Sequence, residues 1–355
     1  MRGDCRDELG VEAALAIAEL VCVYAVTELK APDSRALGDD NSCAVNSRHE
    51  RESWSPGASP PYMHCAAVGN PSRPPMTRQA RTKANAANIS GSLSFRSPQL
   101  MRFTVATYNI HKGFSPTRRM VIHELKDRLH GLSADILFLQ EVQGVHRRHA
   151  RRYRDWPGKS QHEFIADTVW HEVAYGRNAV YHQGHHGNAV LSRFPIVAQS
   201  NQDISAHAFE SRGMLHCVLQ LKRGLPPLHC INIHLGLFER GRRWQVHALC
   251  ERIREAVPMN APLIIAGDLN DWRRKADRTI QKELGVVEVF QEARGRPART
   301  FPAVMPVFRL DRIYSRALSV VATDVHYAYP LARLSDHAAL AATFELERAA
   351  RASPR

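Results

Sequence analysis

The chain has 355 residues, 44% of them hydrophobic and 23% charged, a composition typical of a globular protein with one large domain or two ordinary ones. Its seven cysteines form no CxxC pair and show no regular spacing, which argues against a zinc site and favours a reducing, cytoplasmic compartment. The net charge of +13 comes entirely from residues 101–355, which hold 37 Lys and Arg against 24 Asp and Glu.

The first apolar stretch, residues 13–26, is too short to span a bilayer, and Glu19 interrupts it. The residues before it are largely acidic, which is the wrong sign for the start of a secretory signal. The sequence therefore predicts no signal peptide and no transmembrane segment, and at most a short amphipathic helix here.

Residues 32–100 are rich in Pro, Ser, Ala, Asn and Arg and show no hydrophobic period, which is typical of disorder. A strand-like pattern begins abruptly at Met101. We expect residues 1–100 to be a disordered leader or an extension upstream of a misplaced start codon. Residues 101–347 are then the functional domain, and residues 348–355 a disordered tail.

Short apolar, β-branched runs after Met101 predict strands at 103–108, 135–140, 188–192, 214–221, 228–233, 262–266, 311–314, 318–326 and 338–346. Helical periodicity predicts helices at 118–131, around 161–172 and at 240–256. Strands outnumber helices, and several lie too close in sequence to be joined by crossover helices. The pattern favours an α/β (α+β) sandwich of two packed mixed sheets with helices outside, rather than a doubly wound parallel sheet.

Two predicted strands end in polar residues that suit a divalent cation. The apolar run before Glu141 ends in a charge, and Asn109 ends the first strand. Glu141 supplies the hard oxygen that Mg²⁺ or Mn²⁺ prefers, and Asn109 can hold a water of the metal or a phosphate oxygen. The alternative for each residue is a solvated strand end.

The motif GlyAspLeuAsn (267–270) follows another apolar run. Side chains two apart on an extended segment share a face, so Asp268 and Asn270 can point at one spot. Asp268 can accept a proton from attacking water, and Asn270 can orient that water or a phosphoryl oxygen. The alternative is a plain strand and turn.

Three further groups lie near predicted strand ends. In IleAsnIleHis (231–234), Asn232 and His234 share one face, and His234 can hydrogen-bond a phosphate oxygen or can be structural. Asp311 can fix the tautomer of His337, whose imidazolium would then stabilise a phosphoryl transition state. The neighbouring Asp336 faces a different partner or caps a turn.

With these motifs in this order, residues 101–347 resemble the endonuclease/exonuclease/phosphatase superfamily. That group includes DNase I-like nucleases, apurinic-site endonucleases, inositol-polyphosphate 5-phosphatases and neutral sphingomyelinases. The resemblance is greatest to a bacterial branch of metal-dependent hydrolases marked by TyrAsnIleHisLysGly (108–113), TyrGlyArgAsnAlaValTyr (175–181), GlyHisHisGlyAsnAlaValLeuSerArgPheProIle (184–196) and ArgThrPhePro (299–302). It implies a DNase I-like four-layer α/β/β/α sandwich with the pocket at one edge of the two sheets.

The resemblance implies three kinds of role: metal binding for Asn109, Glu141 and Asp336, catalysis for His234, Asp268, Asn270, Asp311 and His337, and phosphate contact for Asn188 and Arg212. One position departs from the pattern. Apurinic-site endonucleases carry an acidic residue two positions after the Asn, where this chain has His111. That departure argues against a second metal ligand there and against abasic-site cleavage as the reaction.

The basic stretch HisArgArgHisAlaArgArgTyrArg (146–154) is predicted to be a loop beside the pocket. It can contact a nucleic-acid backbone or an anionic lipid headgroup, or it can be a solvated loop. The spacing of His182, His185 and His186 fits no tetrahedral metal site, and we interpret them as rim residues.

We therefore predict a Mg²⁺- or Mn²⁺-dependent phosphoesterase that cleaves phosphodiester bonds by in-line attack of water activated through Asp268. Nucleic acid is the leading substrate. The alternative is a phospholipid or lipid-headgroup phosphodiesterase with apolar rim residues such as Phe114 and Phe209 and peripheral contact at the inner membrane face. A catalytically dead binding protein on the same fold is less favoured, and the sequence leaves the oligomeric state open.

Overall fold

The computed structural model describes residues 100–346, so the predictions for a leader and a C-terminal tail lie outside the described residues. Two six-stranded sheets pack face to face. Sheet 1 has the order β11 (Ser319–His326), β12 (Ala339–Leu346), β1 (Met101–Asn109), β2 (Ile136–His146), β4 (Gly184–Ser192), β3 (Glu172–Tyr181). Sheet 2 has the order β5 (Ile196–Asp203), β6 (Gly213–Leu219), β7 (Leu228–His234), β8 (Leu263–Asp268), β10 (Asp311–Arg316), β9 (Val287–Glu288).

The described residues form six helices, α1 (Ile122–Gly131), α2 (Arg147–Arg152), α3 (Gln161–Ala166), α4 (Glu239–Ala256), α5 (Lys275–Leu284) and α6 (Val289–Arg294), with 3₁₀ turns at His111–Gly113 and Leu331–Arg333. Helices α1 and α3 cover the outer face of sheet 1 and α4 and α5 that of sheet 2, whereas Val289 and Phe290 of α6 belong to the core between the sheets. One apolar core fills the space between the sheets, a second lies under α1 and α3, and a third under α4 and α5. This arrangement confirms the predicted four-layer sandwich.

Both sheets are mixed, and their central strands end at one common edge. β1 pairs in parallel with β2, and β7 pairs in parallel with β8, whereas the neighbouring pairs are antiparallel. In sheet 2 the register places His234 opposite Asp268 and Asp268 opposite Asp311. The polar strand ends of the sequence are therefore neighbours in space.

Three edge strands (β3, β5 and β9) and three helices (α2, α5 and α6) were not predicted from the sequence. β5 is exposed along most of its length and β3 is half-exposed, so neither carries the apolar run that marks a buried strand. Helix α5 has a mostly polar sequence, and its apolar stripe consists of only three residues, Ala276, Ile280 and Leu284.

Two predicted boundaries were wrong. The helix expected over 161–172 ends at Ala166, because Asp167 has a positive φ of 42° and the chain then enters β3. The basic stretch 146–154 is not a loop, since β2 continues to His146 and residues 147–152 form α2. The His146 side chain accepts a hydrogen bond from the backbone N–H of His149 and so caps that helix.

Cys217, Cys230 and Cys250 are buried free thiols. In the described part of the chain, no helix combines the length and the apolar character needed to cross a bilayer.

Asn232 joins the two sheets directly beneath their common edge. From β7, its Nδ2 donates to the carbonyls of Leu139 (2.9 Å) and Ala189 (2.8 Å) in sheet 1, and its Oδ1 accepts from Gln140 Nε2 (2.8 Å). The side chain is fully buried. An unsatisfied buried polar group costs far more than an exposed one, so this amide fixes the position of sheet 1 on sheet 2.

Replacing Asn232 with Leu should lower the free energy of unfolding by about 2–4 kcal/mol, because two carbonyls and Gln140 lose their partner inside the core. Urea unfolding followed by circular dichroism measures the change. The control Asn260→Leu, at an exposed position, should stay within about 0.5 kcal/mol of the parent. An Asn232→Leu protein as stable as the control would contradict the assigned role.

A buried histidine pair lies on β6 and β7. His216 Nε2 and His229 Nδ1 are 3.0 Å apart, so one ring donates a hydrogen bond to the other and at least one accepting nitrogen must be unprotonated. Burial, and then the neighbouring His229, lower the pKa of His216 to about 4, and burial also lowers the pKa of His229.

Because these imidazoles are neutral in the fold, the unfolded chain binds more protons between about pH 4 and pH 6.5, and stability falls as the pH falls through that window. His216→Gln keeps a hydrogen-bonding group that does not titrate. Between pH 7 and pH 4.5 its free energy of unfolding, measured with urea, should fall by about 1–3 kcal/mol less than that of the parent. The exposed variant His171→Gln should follow the parent, and equal pH dependence of all three proteins would refute the assignment.

Candidate active site

The carboxylate of Asp268 occupies the centre of the common edge. Its Oδ2 accepts a hydrogen bond from Asn109 Nδ2 at 3.2 Å, and Nε2 of His234 and Nε2 of His337 lie 3.5 and 3.6 Å from the same oxygen. Asn109 and His337 flank strands of sheet 1, whereas His234 and Asp268 end strands of sheet 2. All four side chains are buried. The two sheets therefore build one polar cluster together.

The backbone around Asp268 requires the residues that the sequence has. Gly267 has a φ of 145°, and a Cβ atom there would lie 1.9 Å from the carbonyl oxygen of Ile233. Asn270 turns the chain with a φ of 50°, and its N–H donates to Asp268 Oδ1 at 2.9 Å. The prediction of an extended segment with Asp268 and Asn270 on one face was wrong, because β8 ends at Asp268 and the chain turns.

The loop after His234 is held from both sides. Asn270 Nδ2 donates to the Leu235 carbonyl at 2.9 Å, and the Leu235 N–H donates to the Asp268 carbonyl at 2.9 Å. From α4, Gln245 accepts from the N–H of Gly236 at 2.8 Å. Asn270 therefore positions the strand end that carries His234. This structural role does not depend on contact with a substrate.

His337 is held between two carboxylates. Its ring atom Nδ1 lies 2.8 Å from Asp311 Oδ2. Its backbone N–H donates to the Ser335 hydroxyl, which in turn donates to the Asn109 carbonyl at 2.7 Å. Burial alone would lower the pKa of His337, but the charges of Asp311 and Asp268 outweigh it and raise that pKa well above its ordinary value. The two carboxylates therefore favour the protonated form of His337.

The pKa of Asp268 lies above the ordinary value of an exposed carboxylate. Burial is the largest influence and raises this pKa to about 6. The charge of His337 and the hydrogen bonds from Asn270 and Asn109 act to lower it, whereas the charge of Asp311 acts to raise it. A carboxylate with a pKa near neutrality can take up a proton and release it again, as a general base must.

Glu141 lies at a β-bulge. The pairing of β2 with β4 shifts by one residue between Leu139 and Val142, and Glu141 has a φ of 56°. A bulge turns a side chain out of its alternation, so Gln140 faces the core while Glu141 faces the site edge. Lys112 Nζ lies 3.9 Å from Glu141 Oε2. Burial alone would raise the pKa of Glu141, but the charge of Lys112 and then those of nearby histidines, His234 first, lower it well below its ordinary value.

Glu141 meets the requirement for a divalent cation ligand. Its Oε2 is buried and accepts no hydrogen bond from the described residues, and hard carboxylate oxygens are the donors that Mg²⁺ and Mn²⁺ select. A second group, Asp268, Asp311 and His337, has ligand atoms within 4.8 Å of one another. In that group Asp268 and Asp311 already have His337 as a partner, whereas Glu141 Oε2 has no hydrogen-bond partner among the described residues.

The other predicted site residues lie around this centre. Asn188 is buried, and its Nδ2 donates to the Gly213 carbonyl at 3.2 Å, next to Arg212. The charge of Arg212 bears on His234 and, together with burial, lowers the pKa of that histidine well below its ordinary value. Asp336 lies beside Ser335 (3.3 Å), and its charge bears on His337 and Tyr108. The structure thus places Asp336 on the His337 side of the centre.

Two residues of the site were not assigned from the sequence. Lys112 follows Asn109 in a 3₁₀ turn with a φ of 58°, and only the TyrAsnIleHisLysGly motif indicated it. His186 was interpreted as a rim residue, yet it is half-buried with Nδ1 lacking a partner among the described residues, and its pKa falls to about 4 through burial and then the charge of Lys112. Both residues bear electrostatically on Glu141.

Comparison with known proteins identifies the family. The model of the endonuclease/exonuclease/phosphatase family matches residues 106–337. YbhP of Escherichia coli (strain K12), described as an uncharacterized protein, is 46% identical over 254 residues, which cover 70% of this chain and 98% of that protein.

Two solved structures show the same fold at low identity. The endonuclease/exonuclease/phosphatase of Bacteroides vulgatus aligns with a TM-score of 0.55 and 17% identity, over 70% of this chain and 100% of that one. TDP2 of D. rerio, complexed with a single-strand DNA product, aligns with a TM-score of 0.52 and 16% identity, over 68% of this chain and 98% of that one. The chain belongs to the endonuclease/exonuclease/phosphatase family, whose members are hydrolases of phosphate esters.

Proposed function

We propose that this protein is a divalent-cation-dependent phosphodiesterase. The observation that carries the proposal is the buried row of charges in which Asp268 faces His337 and His337 is hydrogen-bonded to Asp311. Buried charges are costly unless they are paired, and a row of this kind at the edge of two sheets gives a base and an acid opposite one another. A purely structural ion pair would need neither the raised pKa of Asp268 nor the unpartnered carboxylate oxygen of Glu141 nearby.

In the proposed reaction, Asp268 takes a proton from a water molecule as the water oxygen bonds to phosphorus. The bond from phosphorus to the alcohol oxygen breaks, and that oxygen leaves as an alcohol after protonation from solvent. His337, held by Asp311, donates a hydrogen bond to the phosphoryl oxygen on which charge develops. His234, whose pKa is lowered by burial and then by the charge of Arg212, donates a second one from a ring nitrogen.

Glu141 would hold Mg²⁺ or Mn²⁺, and the two further predicted ligands, Asn109 and Asp336, lie at the same edge, Asp336 on the His337 side. A bound cation supplies Lewis-acid polarisation of the phosphate and neutralises its charge. Arg212 and Asn188 line the adjoining side, where Arg212 provides a second positive charge for a phosphate oxygen.

Two substrates have this chemistry, nucleic acid and anionic phospholipid. The single-strand DNA product in the TDP2 structure and the five arginines of residues 146–154 support nucleic acid. Exposed apolar side chains around the pocket support a lipid substrate. Supercoiled DNA, RNA and anionic phospholipid vesicles, offered to the same preparation, separate these substrates.

Asp268→Asn and His337→Gln should each lower kcat/KM on bis-p-nitrophenyl phosphate by about 10²–10⁴-fold, because each removes one partner of the proton transfer or of the charge stabilisation. Asp127→Asn changes an exposed carboxylate in the same way and should leave the rate unchanged. Circular dichroism melts show whether each variant is folded. A folded His337→Gln protein with full activity would exclude the assigned role.

Chelation with EDTA should abolish hydrolysis, and Mg²⁺ or Mn²⁺ should restore it. In Glu141→Gln the Mn²⁺ concentration for half-maximal rate should rise at least about tenfold, since even outer groups around a metal alter affinity by 10–100-fold. The exposed Glu124→Gln serves as control. Unchanged Mn²⁺ dependence in Glu141→Gln would place the cation elsewhere, and activity that persists in EDTA would contradict cation dependence.

A further inference from the structure

Exposed apolar side chains gather around the mouth of the site. The described part of the chain has sixteen large hydrophobic residues with exposed side chains, and ten of them lie in or beside the connections at the active-site edge. Six of these connections contribute one representative each, which we call the rim residues: Val180, Phe209, Phe238, Trp272, Met305 and Tyr329.

Strand pairing shows that these connections leave the sandwich at one edge. Tyr181 pairs with Gly184, Asp203 with Gly213, and His326 with Ala339, so three of the connections are hairpin ends or loops between paired strands. The other three begin directly after His234 and Asp268 or end directly before Asp311. The rim residues therefore lie on connections from both sheets at the edge that carries the site.

The degree of exposure is high. Phe209 is 95% exposed, Tyr329 76%, Phe238 65% and Met305 64%. Single exposed apolar residues are ordinary on any protein surface, but their concentration around a pocket marks a surface that meets another apolar phase.

Positive charge accompanies the rim. Arg147, Arg148 and Arg151 on α2 are exposed, and none forms an ion pair with a residue in the range 100–346. The Arg333 guanidinium lies 5.2 Å from the centre of the Tyr329 ring. Aromatic and aliphatic tips interleaved with arginines are the composition of protein surfaces that bind at the interface of anionic membranes.

We propose that the active-site edge docks on an anionic phospholipid bilayer, with the rim residues entering the boundary between headgroups and acyl chains and the α2 arginines against the headgroup phosphates. Docking in this way presents lipid-headgroup phosphodiesters to the pocket, and that consequence rests on the proposed function. Aromatic side chains are the groups on which bases stack, whereas the rim mixes them with the aliphatic tips of Val180 and Met305 and with exposed arginines, the composition of a membrane-binding surface. These features favour a bilayer over nucleic acid.

Vesicle co-sedimentation of the full-length chain in EDTA tests docking apart from turnover. The protein should bind vesicles of equal parts phosphatidylcholine and phosphatidylglycerol, bind phosphatidylcholine vesicles more weakly, and lose affinity in high salt. The triple variant Phe209→Ser/Phe238→Ser/Met305→Ser should partition at least about tenfold less, because burial of one such side chain is worth about a tenfold step or more.

The matched control, Val197→Ser/Met259→Ser/Val321→Ser, changes exposed apolar residues away from the rim and should bind within about twofold of the parent. Asp268→Asn should also bind normally, so that loss of catalysis and loss of docking are separate results. If the triple rim variant melts early, Phe209→Ser alone replaces it.

Three results would overturn the proposal. The parent chain could remain in the supernatant with anionic vesicles, or rim and control variants could partition alike. In the third, the rim substitutions change the sedimentation coefficient or the retention of single-stranded DNA without changing vesicle binding, which would make the rim a protein or nucleic-acid surface.

Discussion

The contact between Asp268 and the side chains of the opposite sheet is the constraint on which the site depends. Asp268 ends a strand of sheet 2, yet Asn109 and His337 reach it from sheet 1. A buried carboxylate without these partners would be strongly destabilising, so the edge forms only when both sheets are correctly aligned. Asn232 lies two residues before His234 on the same face of β7. It provides that alignment by donating hydrogen bonds to carbonyls of two strands of sheet 1. Packing and chemistry thus use the same polar contacts.

The charges of the site divide into two sides. On one side, the charges of Asp311 and Asp268 outweigh burial and raise the pKa of His337, while burial raises the pKa of Asp268 to about 6. On the other side, the charge of Lys112 outweighs burial and lowers the pKa of Glu141. His234 stands between the sides, with its Nε2 3.5 Å from Asp268 Oδ2 and the charge of Glu141 acting on it. In the proposed reaction, a phosphate at this edge would meet Asp268 as the base, His337 as a hydrogen-bond donor and Glu141 as the cation ligand.

Much of the fold was predictable from the sequence because buried strands carry continuous apolar runs and end in polar residues. The edge position of Asn109, Glu141, His234, Asp268, Asp311 and His337 follows from that pattern alone. Three features do not follow from that pattern, because each depends on pairing with a distant strand. They are the bulge with positive φ at Glu141, the turn at Asn270 and the exposed strand β5. Of the rim residues, only Phe209 was named from the sequence, because an isolated Met305 or Tyr329 resembles any loop residue until the topology places it at one edge.

The central claim is that a divalent cation binds beside Glu141 and leaves the Asp268–His337–Asp311 row intact. Crystals of the full-length protein grown with Mn²⁺ and measured near the manganese absorption edge test it directly. The account predicts an anomalous peak at the Glu141 carboxylate, with His337 still hydrogen-bonded to Asp311. A peak ligated jointly by Asp268, Asp311 and His337, with none at Glu141, would contradict it.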